Sequence, residues 1–439
     1  MRELLSRLWW RRYLRNNALD TTPLDEFLTA SPAAQLRGIA GRLQVQIQYF
    51  GQREDSLPEW KEAARIADPD ELWRIWPQLP IVTKKMLQSQ FAPDDMARRF
   101  GLTGRIDASG GSTGEPVRFF HDMPALLAAT SLNTWTRERM GWRPGMATLV
   151  VWGSERDIGK RLSRQTRLNN WLLRDFILDG FQLRRETAER LVDLLQAHRP
   201  VAIYGYTSML ESLARQVLDA GWRVPPGAVR TAWNGGEMLF PEQSDLFQQA
   251  FGVPILNRYG GRELSVIACQ FGAGEPLRVL RPWQFVEIVN DAGKPAAPGE
   301  AGRLLLTSTL GRGTPFLRYE IEDLGSSAAS CQDESGIFAL SQLEGRVAGM
   351  LRLPDGRMIN NIFWNHAFKE FREVRQFQVR VKKDGALHIL LCGASMPTGR
   401  EQELLGLLRH LLGDVPVTLE WVAEIPPSKS GKLLQVVKE

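Results

Sequence analysis

The stretch VAIYGYTSMLESLARQVLDAG, residues 201–221, decides the fold class of this chain. Its first six residues predict a short buried strand, because apolar and aromatic side chains dominate them. The residues that follow carry apolar side chains at helical spacing up to Gly221, and glycine commonly ends a helix. A strand that leads directly into a helix is the repeating unit of α/β proteins.

The same unit recurs on both sides of this stretch. ATLVVWG (147–153) predicts a strand, and RETAERLVDLLQAHRP (185–200) predicts a helix that stops at a proline. RTAWNGGE (230–237) and VPILNRYGGRE (253–263) each predict a strand that opens into a glycine turn. This alternation predicts helices layered on a sheet, with ligands bound at the carboxyl ends of its strands.

Beyond about residue 280 the pattern becomes richer in strands. WQFVEIVN (283–290) and the apolar run of PGEAGRLLLTST (298–309) predict two of them. A smaller unit is predicted after Gly345 from a hairpin, a leucine-rich helix and a last strand: RQFQVRVKKDG with ALHILLCG, residues 401–412, and VPVTLEWV.

These patterns predict a multidomain α/β protein. We expect a large N-terminal domain of mixed β-sheets layered with helices over residues 1–344, and a small α+β domain over residues 345–439. The stretch up to about residue 100 is expected to be helical, with breaks marked by Pro58, Pro69 and Pro80, and its first 75 residues are expected to form an N-terminal extension.

Composition excludes several classes of protein. Hydrophobic residues make up 43% and charged residues 24%, which is ordinary for a soluble enzyme, and no apolar run approaches the ~18 residues that span a membrane. The three cysteines and five histidines show no disulfide or metal-ligand spacing, so a reducing, cytoplasmic setting is expected. The net charge of +5 suits a polyanionic small molecule, and no nucleic-acid-binding motif accompanies it.

The N-terminal stretch MRELLSRLWWRRYLRNN, residues 1–17, admits two interpretations. Five arginines beside Trp9 and Trp10 could form a helix that lies on an anionic membrane surface, or a helix packed on the main domain. The stretch lacks the continuous apolar region and small-residue cleavage site of a secretory signal. Packing on the main domain is the favoured interpretation.

The loop DASGGSTGEP, residues 107–116, combines three glycines with three hydroxyl side chains. Glycine lets backbone N–H groups approach a ligand closely, so such a loop suits an anion, most often phosphate. A solvent-exposed turn is the alternative. The loop is not a Walker P-loop, because Glu115 stands where a lysine is required.

Six motifs occur in one fixed order: this loop, NGGE, YGGRE, TPFLRYEIEDLG, LEGRV and SKSGK. Together they resemble the adenylate-forming superfamily, which includes acyl-CoA synthetases, adenylation domains and luciferases. LPIVTKKML (79–87), YGGRE in place of Y-G-x-T-E and the compact length resemble more narrowly the phenylacetate–CoA ligase family, in its capsular-polysaccharide-biosynthesis branch. The resemblance covers residues 75–439.

The resemblance implies that ATP and Mg²⁺ are used to adenylate a carboxylic acid, with release of pyrophosphate. The acyl-AMP would then pass to coenzyme A or another acceptor. The alternatives are an amide-forming or AMP-transferring ligase in polysaccharide or specialised metabolism, and a non-catalytic ATP-binding accessory protein.

The resemblance also implies roles for individual residues. The phosphates of ATP would be held by Ser109, Gly110, Gly111, Ser112, Thr113 and Gly114. The adenine would rest against Gly235, Gly236, Glu237, Tyr259 and Gly260, where a Cβ on the glycines would collide with the base. Asp323 would accept the ribose hydroxyls, and Glu263 would bind magnesium through a hard carboxylate oxygen. Arg346 would lie near ribose and phosphate, and Lys432 would stabilise the charge that develops on the α-phosphate.

Two departures and two aromatic residues bear on these expectations. Glu115 replaces the common lysine of the phosphate loop and so removes a positive charge near the phosphates. Ala348 stands at the usual acidic hinge position, and this departure affects the expected transfer to coenzyme A more than adenylation. Trp152 and Tyr206 are candidates for an acyl pocket, which would favour an apolar or aromatic acid. Plain core packing is an equal alternative for both.

Overall fold

The computed structural model describes residues 2–109, 117–152, 170–179, 185–346, 351–353, 358–359, 364, 367–368, 371–426 and 433–438. The chain divides into two compact units. The larger comprises Met1–Ile321 and Gly325–Gln342, and the smaller comprises Glu322–Leu324 and Leu343–Glu439. Parallel and antiparallel sheets combined with helices confirm the predicted α/β class.

The N-terminal hundred residues are helical. The helices are α1 Arg2–Asn17, α2 Thr22–Thr29, α3 Pro32–Gly51, α4 Pro58–Ala63, α5 Pro69–Ile75, α6 Lys84–Ser89 and α7 Met96–Phe100, with a 3₁₀ turn at Trp76–Gln78. Breaks between helices precede Pro58 and Pro69, as predicted, and each of these prolines begins the next helix. Proline is well suited to the first helical position, because the N–H that it lacks would have no partner within the helix.

Helix α1 packs on the rest of the larger unit through Trp10, which is buried. The Trp10 ring meets Trp142 edge-on at a centroid distance of 5.2 Å. Just beyond the helix, the Leu19 N–H donates to Ser131 Oγ at 2.6 Å. The favoured interpretation of the N-terminus is therefore correct for this face of the helix.

A parallel sheet forms the centre of the larger unit, with strand order β4-β3-β5-β6-β7 among the described strands. The strands in this unit up to that point are β1 Gly104–Ala108, β2 Arg118–Asp122, β3 Ala147–Trp152, β4 Asp175–Asp179, β5 Val201–Gly205, β6 Val229–Asn234 and β7 Ile255–Leu256. The helices between and around them are α8 Met123–Arg139, α9 Arg185–His198, α10 Thr207–Asp219 and α11 Pro241–Phe251.

Each face of this sheet buries its own hydrophobic core. Ile203 lies in one cluster with Leu210 of α10 and Phe247 of α11. Its neighbour Ala202 points the other way and lies in a cluster with Trp10 and Leu132 of α8. Alternation of side chains along a strand produces this division. Each fully buried large apolar side chain contributes about 1.5–3 kcal/mol.

Antiparallel strands complete the larger unit. Two antiparallel segments are seen, one with strand order β16-β10-β9-β8 and the other pairing β11 with β12. Their bounds are β8 Arg258–Gly261, β9 Ser265–Cys269, β10 Leu277–Val279, β11 Gln284–Val289, β12 Gly302–Ser308, β13 Tyr319–Ser326, β14 Gln332–Asp333, β15 Gly336–Ile337 and β16 Ala339–Leu340, followed by β17 Gln342–Arg346 across the boundary between the units.

A buried ion pair anchors β11. Arg318, 2% exposed, donates from Nε to the Glu287 carboxylate at 3.1 and 3.2 Å, and from Nη1 to the Leu79 carbonyl oxygen. Trp76 Nε1 donates to the same carboxylate at 3.0 Å. Burial raises the pKa of Glu287, and Arg318 opposes this shift. Arg318 therefore supports the chain between β12 and β13.

The smaller unit has the predicted hairpin, helix and last strand. Its elements are β18 Leu351–Arg352, β19 Met358–Ile359, β20 Val374–Val381, β21 Leu387–Gly393, α12 Thr398–Leu412, β22 Val417–Trp421 and β23 Val436–Lys438. The sheet order is β22-β21-β20-β23, with β20 and β21 antiparallel and both outer strands parallel to their neighbours. Val379, Ile389 and Leu404 are completely buried in its core. Among the described residues of the whole chain, no helix has the length and apolar character needed to cross a membrane.

Candidate active site

Asn234, the last residue of β6, joins three elements at the carboxyl edge of the parallel sheet. Its side chain is fully buried and donates from Nδ2 to Thr207 Oγ1 and to the Glu237 carbonyl oxygen, both at 3.0 Å. Its Oδ1 accepts the N–H of Arg258 at 2.8 Å. The start of α10, the NGGE turn and the start of β8 are thereby fixed together. Asn234 was not among the predicted site residues, although it directly precedes the glycine turn.

The carboxylate of Glu237 binds the N-terminus of α10. Its oxygens accept from the Ser208 N–H at 2.8 Å and from Ser208 Oγ at 3.1 Å. A negative charge is stabilised there by the unpaired N–H groups and the helix dipole. Glu237 lies in the turn, as expected, and the structure gives its side chain this helix-capping role.

The structure gives a reason for glycine at position 235 that does not depend on a bound base. A Cβ at this position would lie 2.8 Å from Tyr204 Oη and 3.0 Å from the Tyr204 ring. The Tyr204 ring itself stacks on Trp233, with a centroid distance of 5.8 Å. A protein side chain therefore already excludes a larger residue, before any base is bound. Gly236, next in the turn, has a φ of 77°, which glycine adopts without strain.

Replacing Glu237 by alanine is expected to destabilise the larger unit by about 0.5–2 kcal/mol, the usual cost of losing a helix-capping interaction. Urea denaturation measures this loss. Glu59→Ala is the matched control, since Glu59 is an exposed acid in the first turn of α4. Equal stability of the two variants would show that the Ser208 contact contributes nothing.

The turn between β8 and β9 positions Glu263, which is 7% exposed. A Cβ on Gly261 would lie 2.8 Å from Glu263 Oε2, so the second glycine of YGGRE makes room for this carboxylate. Tyr259 and Gly260 belong to β8 and are half-buried. After the turn, Ser265 has a φ of 62° and accepts a hydrogen bond from Asn133 Nδ2 at 2.9 Å.

Glu263 lines a cavity of about 560 Å³ within the larger unit. The walls are the β1–β2 hairpin, α8, the turn 261–265 and the segment 308–316. His121 Nε2 lies 2.9 Å from the Arg262 carbonyl oxygen, so this nitrogen carries the proton, and burial lowers the His121 pKa. Asp122 accepts the N–H groups of Ala125 at 3.2 Å and Arg312 at 2.8 Å. Burial raises the Asp122 pKa.

The phosphate loop is anchored where it leaves β1. Ser109 is 8% exposed, and its Oγ accepts the Val117 N–H at 2.9 Å. The Ser109 N–H donates to the Val117 carbonyl oxygen at 2.9 Å. These bonds close the base of the loop beside the cavity wall. Outside the described residues lie the remaining loop positions, Gly110, Gly111, Ser112, Thr113, Gly114 and Glu115.

The other predicted residues are distributed as follows. Asp323 lies half-buried in β13, directly after Glu322, whose φ of 66° is strained for a residue with a Cβ. Arg346 ends β17, and its side chain is not among the described ones. Ala348 and Lys432 lie outside the described residues.

The two acyl-pocket candidates differ in position. Trp152 ends β3 at the carboxyl edge of the sheet, and its side chain is not among the described ones. Tyr206 is 4% exposed and packs in the core cluster that contains Leu210 and Leu213. Of the two interpretations of Tyr206, acyl pocket and core packing, its position agrees with core packing.

The donor set around the cavity suits magnesium. Among the described residues, no group of three or more histidine, cysteine, aspartate or glutamate side chains is placed to hold a metal. Magnesium is typically held by one or two carboxylates together with substrate phosphates and water. Glu263, an oxygen donor in the wall of the cavity that the β1–β2 hairpin also lines, fits that pattern.

Comparison with known proteins agrees with this geometry. Residues 174–311 match the family model of AMP-binding enzymes. For this part of the chain, the predicted resemblance to adenylate-forming enzymes is confirmed. The chain is also similar to Protein CapK of Staphylococcus aureus, at 23% identity over 215 residues, which supports the predicted branch. That alignment spans 49% of this chain and 46% of CapK, about half of each protein.

Solved structures share the fold. The chain aligns with 2-hydroxyisobutyryl-CoA ligase in the postadenylation state in complex with 2-HIB-AMP, with a TM-score of 0.70, 17% identity, and coverage of 93% of this chain and 90% of the ligase. It also aligns with the amide bond synthetase McbA from Marinactinospora thermotolerans, with a TM-score of 0.54, 20% identity, and coverage of 74% and 66%. Both likenesses are to multidomain ligases, as the predicted fold required.

Proposed function

We propose that this enzyme adenylates a carboxylic acid with ATP and Mg²⁺ and releases pyrophosphate. The observation that carries the proposal is the Glu263 carboxylate, buried in the wall of the cavity that also borders the phosphate-loop hairpin. Gly261 leaves the space that this carboxylate occupies. The match to AMP-binding enzymes supports the same chemistry.

In the proposed reaction an oxygen of the substrate carboxylate attacks the α-phosphorus of ATP. The bond to the β-phosphate breaks, and pyrophosphate leaves with its electron pair. No general base is needed, because the carboxylate is ionised at neutral pH. Backbone N–H groups of residues 110–114 would bind the β- and γ-phosphates, and Asp323 would accept the ribose hydroxyls. Lys432 would stabilise the negative charge that grows on the α-phosphate oxygens.

Magnesium would be held by Glu263 and, when bound, would neutralise charge on the phosphates. Gly261 and the Asn133–Ser265 hydrogen bond fix the turn that presents this carboxylate. The base of the phosphate loop is held by the two Ser109–Val117 bonds. These residues orient the reacting groups without taking part in bond exchange.

The substrate is proposed to be an apolar or aromatic acid. Trp152 is the remaining candidate for the acyl pocket, because Tyr206 packs in the core. Coenzyme A is the proposed acceptor, with an amine as the alternative; a CoA ligase and an amide bond synthetase share the fold.

The proposed setting is the reducing cytoplasm. The three cysteines are free, which supports this setting.

Pyrophosphate release tests the proposed function. The full-length protein is incubated with ATP, Mg²⁺ and each member of a broad panel of carboxylic acids. Release with a subset of acids is expected and would name the substrate class. ATP binding without release for any acid would identify a non-catalytic nucleotide-binding protein, and absence of both would overturn the proposal.

Glu263→Gln keeps the shape of the side chain and removes its charge. We expect pyrophosphate release to fall about tenfold or more, with a higher magnesium requirement, because even outer partners of metal ligands cost 10- to 100-fold. Thermal stability should stay close to that of the wild type. Glu275→Ala, at an exposed glutamate before β10, is the control. A large loss of stability at unchanged magnesium dependence would make Glu263 a structural residue.

A further inference from the structure

Helix α1 presents two different faces. Residues 6, 10, 13 and 17 recur at helical spacing on the side that meets the larger unit. Ser6 and Trp10 on this side are buried, and Tyr13 and Asn17 reach the cavity wall. The helix is thus fixed to the protein along its whole length. Its opposite side faces solvent.

The solvent side begins with a leucine patch. Leu4, Leu5 and Leu8 are 63%, 46% and 54% exposed. Only eight large hydrophobic residues in the described part of the chain are at least 37% exposed, and three of them lie in the first two turns of α1. A cluster of exposed large apolar side chains, unlike a single one, marks an interaction surface.

Arginines continue the same side toward the end of the helix. At 100° per residue, one arc of about 120° contains six exposed side chains, which we call the outer face of α1: Leu4, Leu5, Leu8, Arg11, Arg12 and Arg15. The only acid in the helix, Glu3, pairs with Arg7 at 2.6 Å. Among the described residues, no acidic side chain lies within 4 Å of the three arginines of the outer face.

An exposed tryptophan lies on a segment tied to the first turn of α1. Trp171 is 46% exposed and directly precedes the residues leading to Arg174. Nη1 of Arg174 lies 3.7 Å from Oε2 of Glu3 and donates to the Gly145 carbonyl oxygen at 2.7 Å. Tryptophan is the side chain that most favours a membrane–water interface.

We propose that the outer face of α1 docks the protein on an anionic lipid surface. Its leucines would enter the boundary between headgroups and acyl chains, while the arginines would bind lipid phosphates and keep their charge in water. Six side chains fall well short of the 20–30 residues per side of a standard protein interface. A small, cationic and apolar patch on an anchored helix instead suits reversible contact with lipid, which needs no complementary shape.

Vesicle flotation of the full-length protein tests this surface. Vesicles of phosphatidylcholine alone are compared with vesicles that contain phosphatidylglycerol, at low and high salt. We expect binding to the anionic vesicles only, weakened by salt because exposed charges are screened. Equal binding to both compositions would overturn the proposal.

Two variants separate the contributions. Replacing Arg11, Arg12 and Arg15 by glutamine should weaken binding about 100-fold, since each arginine near an anionic surface strengthens it about fivefold. Replacing Leu4, Leu5 and Leu8 by serine should abolish the binding that survives high salt. The matched control exchanges three exposed arginines elsewhere, Arg223, Arg230 and Arg278, for glutamine and should bind like the wild type.

Further measurements keep the result unambiguous. Both outer-face variants should retain the wild-type thermal stability and pyrophosphate release, since none of the six residues lines the cavity. The test does not depend on the proposed enzymatic function, because flotation needs no substrate. Binding of a poly-glutamate peptide but not of anionic vesicles would identify an acidic polypeptide as the occupant and overturn the proposal.

Discussion

Lys432→Ala is expected to reduce adenylation by about 10²-fold or more, comparable to the loss of one transition-state donor. Lys432 lies in the segment SKSGK, flanked by serine, glycine and proline, which should contribute little to any core. Stability should therefore change by no more than about half a kcal/mol. ATP should still bind. Pyrophosphate release with the best acid of the panel measures the first effect, and thermal unfolding the second.

Lys429, three residues earlier in the same segment, provides the matched control. Lys429→Ala removes the same charge from the same tail and should leave adenylation within a few-fold of the wild type. The second half-reaction, started from a supplied acyl-adenylate, should be affected far less in Lys432→Ala than the first. Equal damage to both half-reactions would contradict a small domain that brings Lys432 to the α-phosphate only during adenylation. No damage to either would make Lys432 a solvent-exposed tail residue.

The fold was predictable where hydrophobic periodicity is strong. The unit β5–α10 was predicted within two residues at each end, because most of its apolar positions face one of two cores. The N-terminal helices were predicted in type but not in boundary. Pro58 and Pro69 can end one helix or begin the next, and only the caps and packing around them decide between the two.

The candidate site was predictable as a set of turns but not as a set of contacts. The glycine turn after β6 lies at a strand end, as the alternation indicated, whereas both glycines of YGGRE lie within β8 and the turn follows them. The helix-capping bond of Glu237 and the three-way bond of Asn234 depend on which way a side chain points out of a turn. No periodic pattern carries that information. Gly235 shows the same limit, since its neighbour Tyr204 lies 31 residues earlier in the chain.

The ion pair of Arg318 with Glu287 was not predictable from the sequence. The two residues lie 31 positions apart, and no spacing pattern in the sequence connects them. The pairing buries a charge on each side, with 2% and 13% of the two side chains exposed. Taking charges out of water is costly, so such a pair is stable only while both partners remain.

Arg318→Met is therefore expected to destabilise the larger unit by about 3–5 kcal/mol, because it leaves the Glu287 carboxylate buried without its cation. Urea denaturation of the full-length protein measures the loss. Arg303→Met is the comparison, since the Arg303–Glu320 pair at 2.8 Å is more exposed, at 23% and 17%. That variant should lose much less.

The double variant Arg318→Met/Glu287→Met separates the two possible causes of the loss. If the buried, unpaired carboxylate is the cause, the double variant should regain most of the stability, because two apolar side chains can replace a buried pair at little cost. If the double variant is as unstable as Arg318→Met, the bond from Arg318 to the Leu79 carbonyl oxygen is the main contribution instead. In that case the guanidinium stabilises the fold by holding the chain before α6, and its charge is incidental to that role.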